Sequence, residues 1–302
     1  MNKPLYLKSG DKVGVISPGK SLSVQTISFA DNLLGKWGLE VIMGKNIDKS
    51  YNQFAGTDDE RAKDLQEMLD DKSIKAILCS RGGYGTIRII EKLNFKNFIK
   101  YPKWIVGYSD ITVLHSYLNK ILNFESIHGV MPINFPENIK DNESTESLKR
   151  TLFGQNPEYT IKSHKLNRKG KASGILVGGN LSILYSLRGT KLDLDYKGKI
   201  LFIEDIDEYL YHIDRIMLNL KLGGILAGLK GMIIGGMTNM KDNEITFGKS
   251  AYEIIHEAIS EYNFPVCFNF NAGHIEPNLT LILGRKIVLD VKQNEVEIEF
   301  NQ

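Results

Sequence analysis

The sequence predicts an α/β fold with a parallel sheet in its first half. Two observations carry that expectation. Short apolar runs alternate with longer amphipathic segments, the pattern of βα units. The chain also has 302 residues, enough for about two domains that each bury a core. Residues 13–17 (VGVIS), 39–43 (LEVIM), 76–79 (AILC) and 104–106 (WIV) read as successive strands. Between the second and third, Thr57-Asp58-Asp59-Glu60 is a capping box. Its Thr and Glu side chains satisfy orphan amides at the start of a helix over 58–69. Helices over 87–93 and 111–122 follow the third and fourth strands.

From Pro136 to Ala172 the periodicity gives way to FPENIKDNESTESLKR and a basic stretch, which predicts a linker over 136–172 between domains at 1–135 and 173–302. The second half begins with GILVGGNLSIL. A strand at 199–203 (KILFI), a helix at 209–222, a strand at 231–234 (GMII) and a helix at 249–261 follow. Two alternating segments, 281–291 and 295–300, predict a closing hairpin.

With 42% hydrophobic and 25% charged residues the composition excludes a disordered chain. The formal charge is only +2, without the basic footprint that nucleic-acid binding requires. The one local basic excess, KSHKLNRKGK at 162–171, reads as a solvated linker, with polyanion binding the weaker alternative. Cys79 and Cys267 each lie in an apolar run, where a free thiol behaves as a small hydrophobe, and that usage fits a reducing compartment. No apolar leader and no run of about 18 apolar residues occurs, so a soluble, cytoplasmic protein without membrane contact is expected.

In an open α/β sheet ligands bind beyond the carboxyl ends of the strands. After the third strand comes Ser80-Arg81-Gly82-Gly83-Tyr84-Gly85-Thr86, whose glycines let backbone amides approach a ligand or oxyanion. It reads equally as a tight strand-to-helix turn. A nucleotide cradle is disfavoured, because neither GxxxxGK[ST] nor a GxGxxG followed by an acidic residue is present. After the fourth strand, Gly107-Tyr108-Ser109-Asp110 places Ser109 on a sharp turn at a helix start. That is a nucleophile elbow in outline, although Asp110 departs from G-x-S-x-G and the bland alternative is a helix cap.

A serine nucleophile needs a base held by a carboxylate. His115, His164, His212 and His256 lie in helical patterns or in the basic stretch, and His128 in SIHGV is ambiguous. His274, in the polar loop Asn271–Asn278, is the better candidate. Glu204 closes the run KILFIE, with Asp205 and Asp207 competing for its role. No metal is expected, because His212-Ile213-Asp214 and His256-Glu257 lack HExxH or a third ligand. Cysteine nucleophiles are disfavoured by burial in strands.

Together GDKVGVISPG, AGTDDER, SRGGYGT, VGYSD, IHG, VGGNLSIL, FIEDIDEYLYHIDR and NAGHIEPNLTLILGR, in that order, resemble the LD-carboxypeptidases, the serine peptidase family that includes the microcin C self-immunity proteins. The likeness spans nearly the whole chain. It implies a flavodoxin-like N-terminal α/β domain, a smaller β-rich C-terminal domain, a site between them and a homodimer. It also implies a triad of Ser109, Glu204 and His274 and an oxyanion hole from the Gly83 and Asp110 amides, with Gly82 as the competing glycine. No cofactor is implied. The expected reaction is hydrolysis of the amide to terminal D-Ala in murein tetrapeptides. Arg81 is the candidate for the D-Ala carboxylate, Gly82 and Asn180 for further substrate contacts. Two alternatives stand beside it: a microcin-immunity-type amidase acting on aminoacyl or peptidyl adenylate analogues, and a non-catalytic protein in which SRGGYGT grips an anion and Ser109 is a cap.

Overall fold

The structure, a computed structural model, describes residues 1–138 and 140–301. The first half runs β1 (Lys12–Ile16), α1 (Val24–Lys36), β2 (Glu40–Met43), α2 (Asp58–Asp70), β3 (Ile74–Cys79), α3 (Thr86–Ile89), α4 (Lys96–Lys100), β4 (Trp104–Gly107), α5 (Thr112–Tyr117) and β5 (Ser126–His128). These five strands are parallel in the order β2-β1-β3-β4-β5, the flavodoxin-like arrangement. The apolar runs of the central strands β1, β3 and β4 are nearly continuous because both faces are covered. Val13, Val15, Ala76 and Leu78 face one core, while Ile16, Ile77 and Cys79 face the other. The capping box forms as read: Thr57 Oγ1 accepts from the Glu60 amide, and the Glu60 carboxylate accepts from the Thr57 amide at 2.8 Å. The predicted helix over 111–122 is composite. A 3-10 turn at Ser109–Ile111 leads into α5, and a π turn at Leu118–Leu122 ends at Asn123 in the left-handed region.

The second half adds α6 (Glu143–Leu152), β6 (Glu158–Lys162), β7 (Gly170–Asn180), α7 (Leu181–Ser186), β8 (Ile200–Ile206), α8 (Leu210–Leu222), β9 (Gly231–Thr238), α9 (Ala251–Ala258), β10 (Val266–Cys267), β11 (Leu281–Leu283), β12 (Lys286–Val291) and β13 (Glu295–Phe300). A seven-stranded sheet has the order β10-β9-β8-β7-β12-β13-β6, parallel from β10 to β7 and antiparallel beyond. One hydrophobic cluster joins the two sheets, from Val13 and Trp104 to Phe202, Ile233 and Phe270.

Two sequence expectations change. The stretch 136–172 is more than a linker: it holds α6, β6 and the start of β7. Asn142 caps α6 with its own capping box, and Leu148 and Leu152 pack into the shared core while polar residues cover the other face. The segment 281–291 is two strands in two sheets. β11 pairs antiparallel with β5 at the edge of the first sheet, and β12 pairs with β7 in the second. Gly284 makes the break. It sits at φ +92°, and a β-carbon there would lie 2.7 Å from Met1 Sδ and 3.1 Å from Asn119 Nδ2. Among the described residues, no helix is long and apolar enough to cross a membrane.

Candidate active site

The loops after β3, β4 and β8 meet the loop before β11 around a cleft of about 370 Å³, lined by Arg81, Gly82, Gly83, Tyr108, Ser109, Asn134, Asp207 and His274 among others. Ser109 occupies the turn where β4 ends, at φ +63°. A non-glycine residue rarely adopts that region, and such strain persists only where surroundings over-determine it. Gly82 lies against it: a β-carbon there would come within 2.9 Å of Ser109 Cβ and 3.0 Å of Oγ. Gly83 follows at φ +112°. The amides of Gly83 and Asp110 donate to no other group among the described residues.

The glycine loop is anchored from two sides. Asp110, only 1% exposed, turns its side chain inward so that Oδ2 accepts from the Thr86 amide at 2.9 Å and from Thr86 Oγ1 at 2.7 Å. Burial raises its pKa, opposed by those Thr86 bonds. The buried Arg61, from the AGTDDER stretch, donates to the carbonyls of Gly85 and Pro18 and pairs with Asp58. Sequence reasoning missed both anchors. The signal was available in Asp110 itself, the residue that breaks the hydrolase pattern.

Glu204 lies within β8 where the pairing with β9 shifts register, a bulge that re-aims a side chain. It is fully buried, and its Oε2 accepts from His274 Nδ1 at 2.7 Å and from the His274 amide at 3.3 Å. Gly273 permits the approach: at φ +104°, a β-carbon there would stand 2.6 Å from Glu204 Cβ. Thr238 Oγ1 donates to the His274 carbonyl at 2.8 Å, and the Tyr108 ring meets the imidazole edge-on at 4.8 Å. With Nδ1 committed to Glu204, Nε2 is the nitrogen left for the cleft.

Burial pushes the Glu204 carboxyl upward, but the imidazoles of His128 and His274 outweigh it and hold it at about 2. Burial likewise lowers the His274 pKa, and Glu204, Asp205 and Asp207 more than reverse that, leaving it above the ordinary 6.5. Ser109 and His274 line the same cleft, with no hydrogen bond between them.

The competing carboxylates have other places. Asp205 accepts from Asn180 Nδ2 at 2.9 Å and the Ser182 amide at 2.8 Å, and burial with the neighbouring Glu204 charge pushes it up to about 7. Asp207 lines the cleft from a left-handed turn at φ +60°, without a hydrogen bond to His274. Asn180, expected to orient substrate amides, is buried and caps α7: Oδ1 accepts from the Ile183 amide, and its amide nitrogen serves Asp205. That expectation is corrected, because the residue opening a helix after GG uses its side chain on the helix. Arg81 lines the cleft, touches the Ser21 carbonyl at 3.3 Å and has no ion-pair partner among the described residues. His115 is buried, bridges Ser126 Oγ and the Gly107 carbonyl, and is pulled to about 3 by burial. His212 pairs with Glu208 outside the cleft. Both cysteine thiols are buried and pushed up by it.

Residues 13–129 match the LD-carboxypeptidase N-terminal domain and residues 173–289 the LD-carboxypeptidase C-terminal domain. A relative in Bacillus subtilis (strain 168), a probable murein peptide carboxypeptidase, is 36% identical over 98% of this chain and 94% of its own length. The crystal structure of a muramoyltetrapeptide carboxypeptidase from Oxalobacter formigenes superposes with TM-score 0.86 at 28% identity, covering 96% of this chain and 99% of that one. A microcin C7 self-immunity protein in complex with aspartyl sulfamoyl adenosine shares the fold, with TM-score 0.86 at 24% identity over 99% of this chain and 98% of that one. With both domain models matched in order and a relative aligned nearly end to end, the chain belongs to the LD-carboxypeptidase family of peptidases.

Proposed function

We propose that this protein is a serine LD-carboxypeptidase that removes terminal D-Ala from murein tetrapeptides through an acyl-enzyme. The observation that carries the reading is a strained Ser109 sharing one cleft with a histidine whose Nδ1 is held by a buried, ionised Glu204. Ser109 Oγ attacks the amide carbonyl while His274 Nε2 accepts its proton. Glu204 fixes the tautomer and stabilises the imidazolium that forms. The Gly83 and Asp110 amides receive the oxyanion, in a loop that Asp110 and Arg61 keep rigid. His274 then protonates the leaving amine, and water activated by the same nitrogen releases the peptide. Substrate class comes from the murein peptide carboxypeptidases to which the chain is similar. We further propose that it works as a cytoplasmic homodimer, an inference from the family resemblance and from its free, buried cysteines.

Arg81, a guanidinium lining the cleft with no ion-pair partner among the described residues, is assigned to the D-Ala carboxylate. Arg81→Met is expected to raise KM about 10- to 100-fold with a smaller change in kcat, the worth of a charge-assisted hydrogen bond. A tetrapeptide ending in D-Ala amide is expected to be insensitive to the substitution. Equal losses on both substrates would assign Arg81 a structural role.

His274 acts only when neutral, and its pKa lies above 6.5. Activity therefore falls as pH drops through that raised value, and kcat/KM is expected to show an acid limb above 6.5. A profile flat from pH 5 to 8 contradicts the assignment of His274 as base.

The deciding experiment incubates the protein with a murein tetrapeptide and, separately, with an aminoacyl sulfamoyl adenosine, and quantifies free D-Ala and released amino acid. D-Ala release is the expected result. Release from the adenosine conjugate alone would move the substrate class to adenylate analogues, and inertness on both would favour an anion-binding protein.

A further inference from the structure

His128 is a buried ionisable side chain beside Glu204 that the mechanism leaves unused. It closes β5, and its position is locked on both sides, paired with Gly107 of β4 and Leu281 of β11. The ring is fully buried. It meets Phe202 edge-on at 4.8 Å, and the other titratable groups facing it are Tyr108 at 5.8 Å, His115 at 6.4 Å and Glu204.

His128 Nε2 lies 4.0 Å from Glu204 Oε1, and among the described residues neither of these atoms has a hydrogen-bond partner, nor does His128 Nδ1. Buried polar atoms are nearly always satisfied, and leaving them unmade is costly. Two of the orphans face each other across a gap about 1 Å longer than a hydrogen bond. Glu204 uses only Oε2 on His274, so its second oxygen is free to let the carboxylate rotate.

We propose that His128 is a positioning residue for the reaction: its Nε2–H donates to Glu204 Oε1, so that Oε2 stays aimed at His274 Nδ1 as the imidazolium forms. This rests on the reading that Glu204 and His274 serve Ser109. A neutral His128 carrying its proton on Nε2 suffices, and no proton is transferred. Glu204 is then held from both sides, one oxygen by each domain.

The test measures tetrapeptide turnover, its pH profile and thermal unfolding for wild type, His128→Phe and His128→Gln, the last placing an amide N–H near the original Nε2. His128→Phe is expected to lose about 10- to 100-fold in kcat with KM within about threefold, a loss typical of an outer partner. Its acid limb is expected to shift toward lower pH, because a less firmly held Glu204 supports the imidazolium less. His128→Gln is expected to recover most of kcat. Wild-type kcat in His128→Phe overturns the proposal, as does equal loss in both variants with a lowered melting point. Independently of any variant, nitrogen-15 NMR of histidine-labelled wild type is expected to show the His128 proton on Nε2, and a proton on Nδ1 alone overturns it. Failure of the underlying reading is separable: wild type itself would then turn over no peptide, whatever the state of His128.

Discussion

Ser109→Ala is expected to reduce turnover of the murein tetrapeptide by on the order of a million-fold, because removing one member of such a set costs about as much as removing them all. The substitution isolates the hydroxyl. Alanine keeps the β-carbon, so the strain at φ +63° is unchanged and the close packing of Gly82 against that carbon, where a β-carbon at 82 would come within 2.9 Å, is preserved. Folding stability is therefore expected to move by less than about 0.5 kcal/mol. Adding His274→Ala should cost almost nothing more, since the base has no proton to take. Single-turnover assays with each variant, alongside thermal unfolding, measure all three quantities. Turnover within tenfold of wild type would remove Ser109 from the nucleophile role. Full additivity of the two losses would separate the serine from the histidine.

The parts of the site legible in the sequence are those set by local backbone chemistry. Ser109 declares itself because a short apolar run ends in Gly-Tyr-Ser-Asp, and the turn it implies is present with the serine in the left-handed region. Glu204 and His274 are legible for a related reason. One ends an apolar run and the other sits in a Gly- and Pro-punctuated loop, and they meet at 2.7 Å. What the sequence does not display is which side chains point inward. Asn180 looks like a ligand group after two glycines, but its offset from Ile183 makes it a cap. Asp110 reads as a helix opener, while its carboxylate reaches 24 positions back to Thr86.

The same limit applies to the fold. β1, β2, β3 and β4 are mostly apolar runs that need only period and length to be found, whereas β5 has three residues and carries a histidine. Its identity depends on two neighbours, one of them more than 150 positions away. The alternation from 281 to 291 shows no break at Gly284, because the left-handed conformation that splits it answers to Met1, Asn119 and Glu125, residues remote in sequence. Residues 136–172 lose periodicity through Asn, Ser and charge, yet α6 buries Leu148 and Leu152 on one face, and two apolar positions in ten residues are too sparse to stand out.

The largest effect on stability is expected where the two sheets exchange chain, at Arg285 between β11 and β12. Arg285 and Glu125 are 3% and 5% exposed, and the guanidinium Nε lies 3.1 Å and 3.2 Å from the two carboxylate oxygens. Nη1 also donates to Tyr6 Oη at 3.0 Å and Asn156 Oδ1 at 2.8 Å, so the fork ties the start of β5, the N-terminal segment and the loop before β6 to the crossover. Arg285→Met leaves the Glu125 charge buried and unpaired, a loss of about 3–5 kcal/mol in comparable sites. The midpoint of thermal unfolding is expected to fall by about 5–8 °C. Removing both charges is the informative comparison. In Glu125→Leu/Arg285→Met no charge is stranded, so at least half of the lost stability should return, although Tyr6 and Asn156 lose their partner. A double variant as unstable as the sum of the two single variants would show no coupling between the two charges, each then contributing through its other contacts. Because β11 pairs Leu281 with His128, loosening this crossover should also lower kcat before the protein unfolds, whereas substitutions at the exposed Lys12–Glu40 pair at the far side of the sheet should leave it untouched.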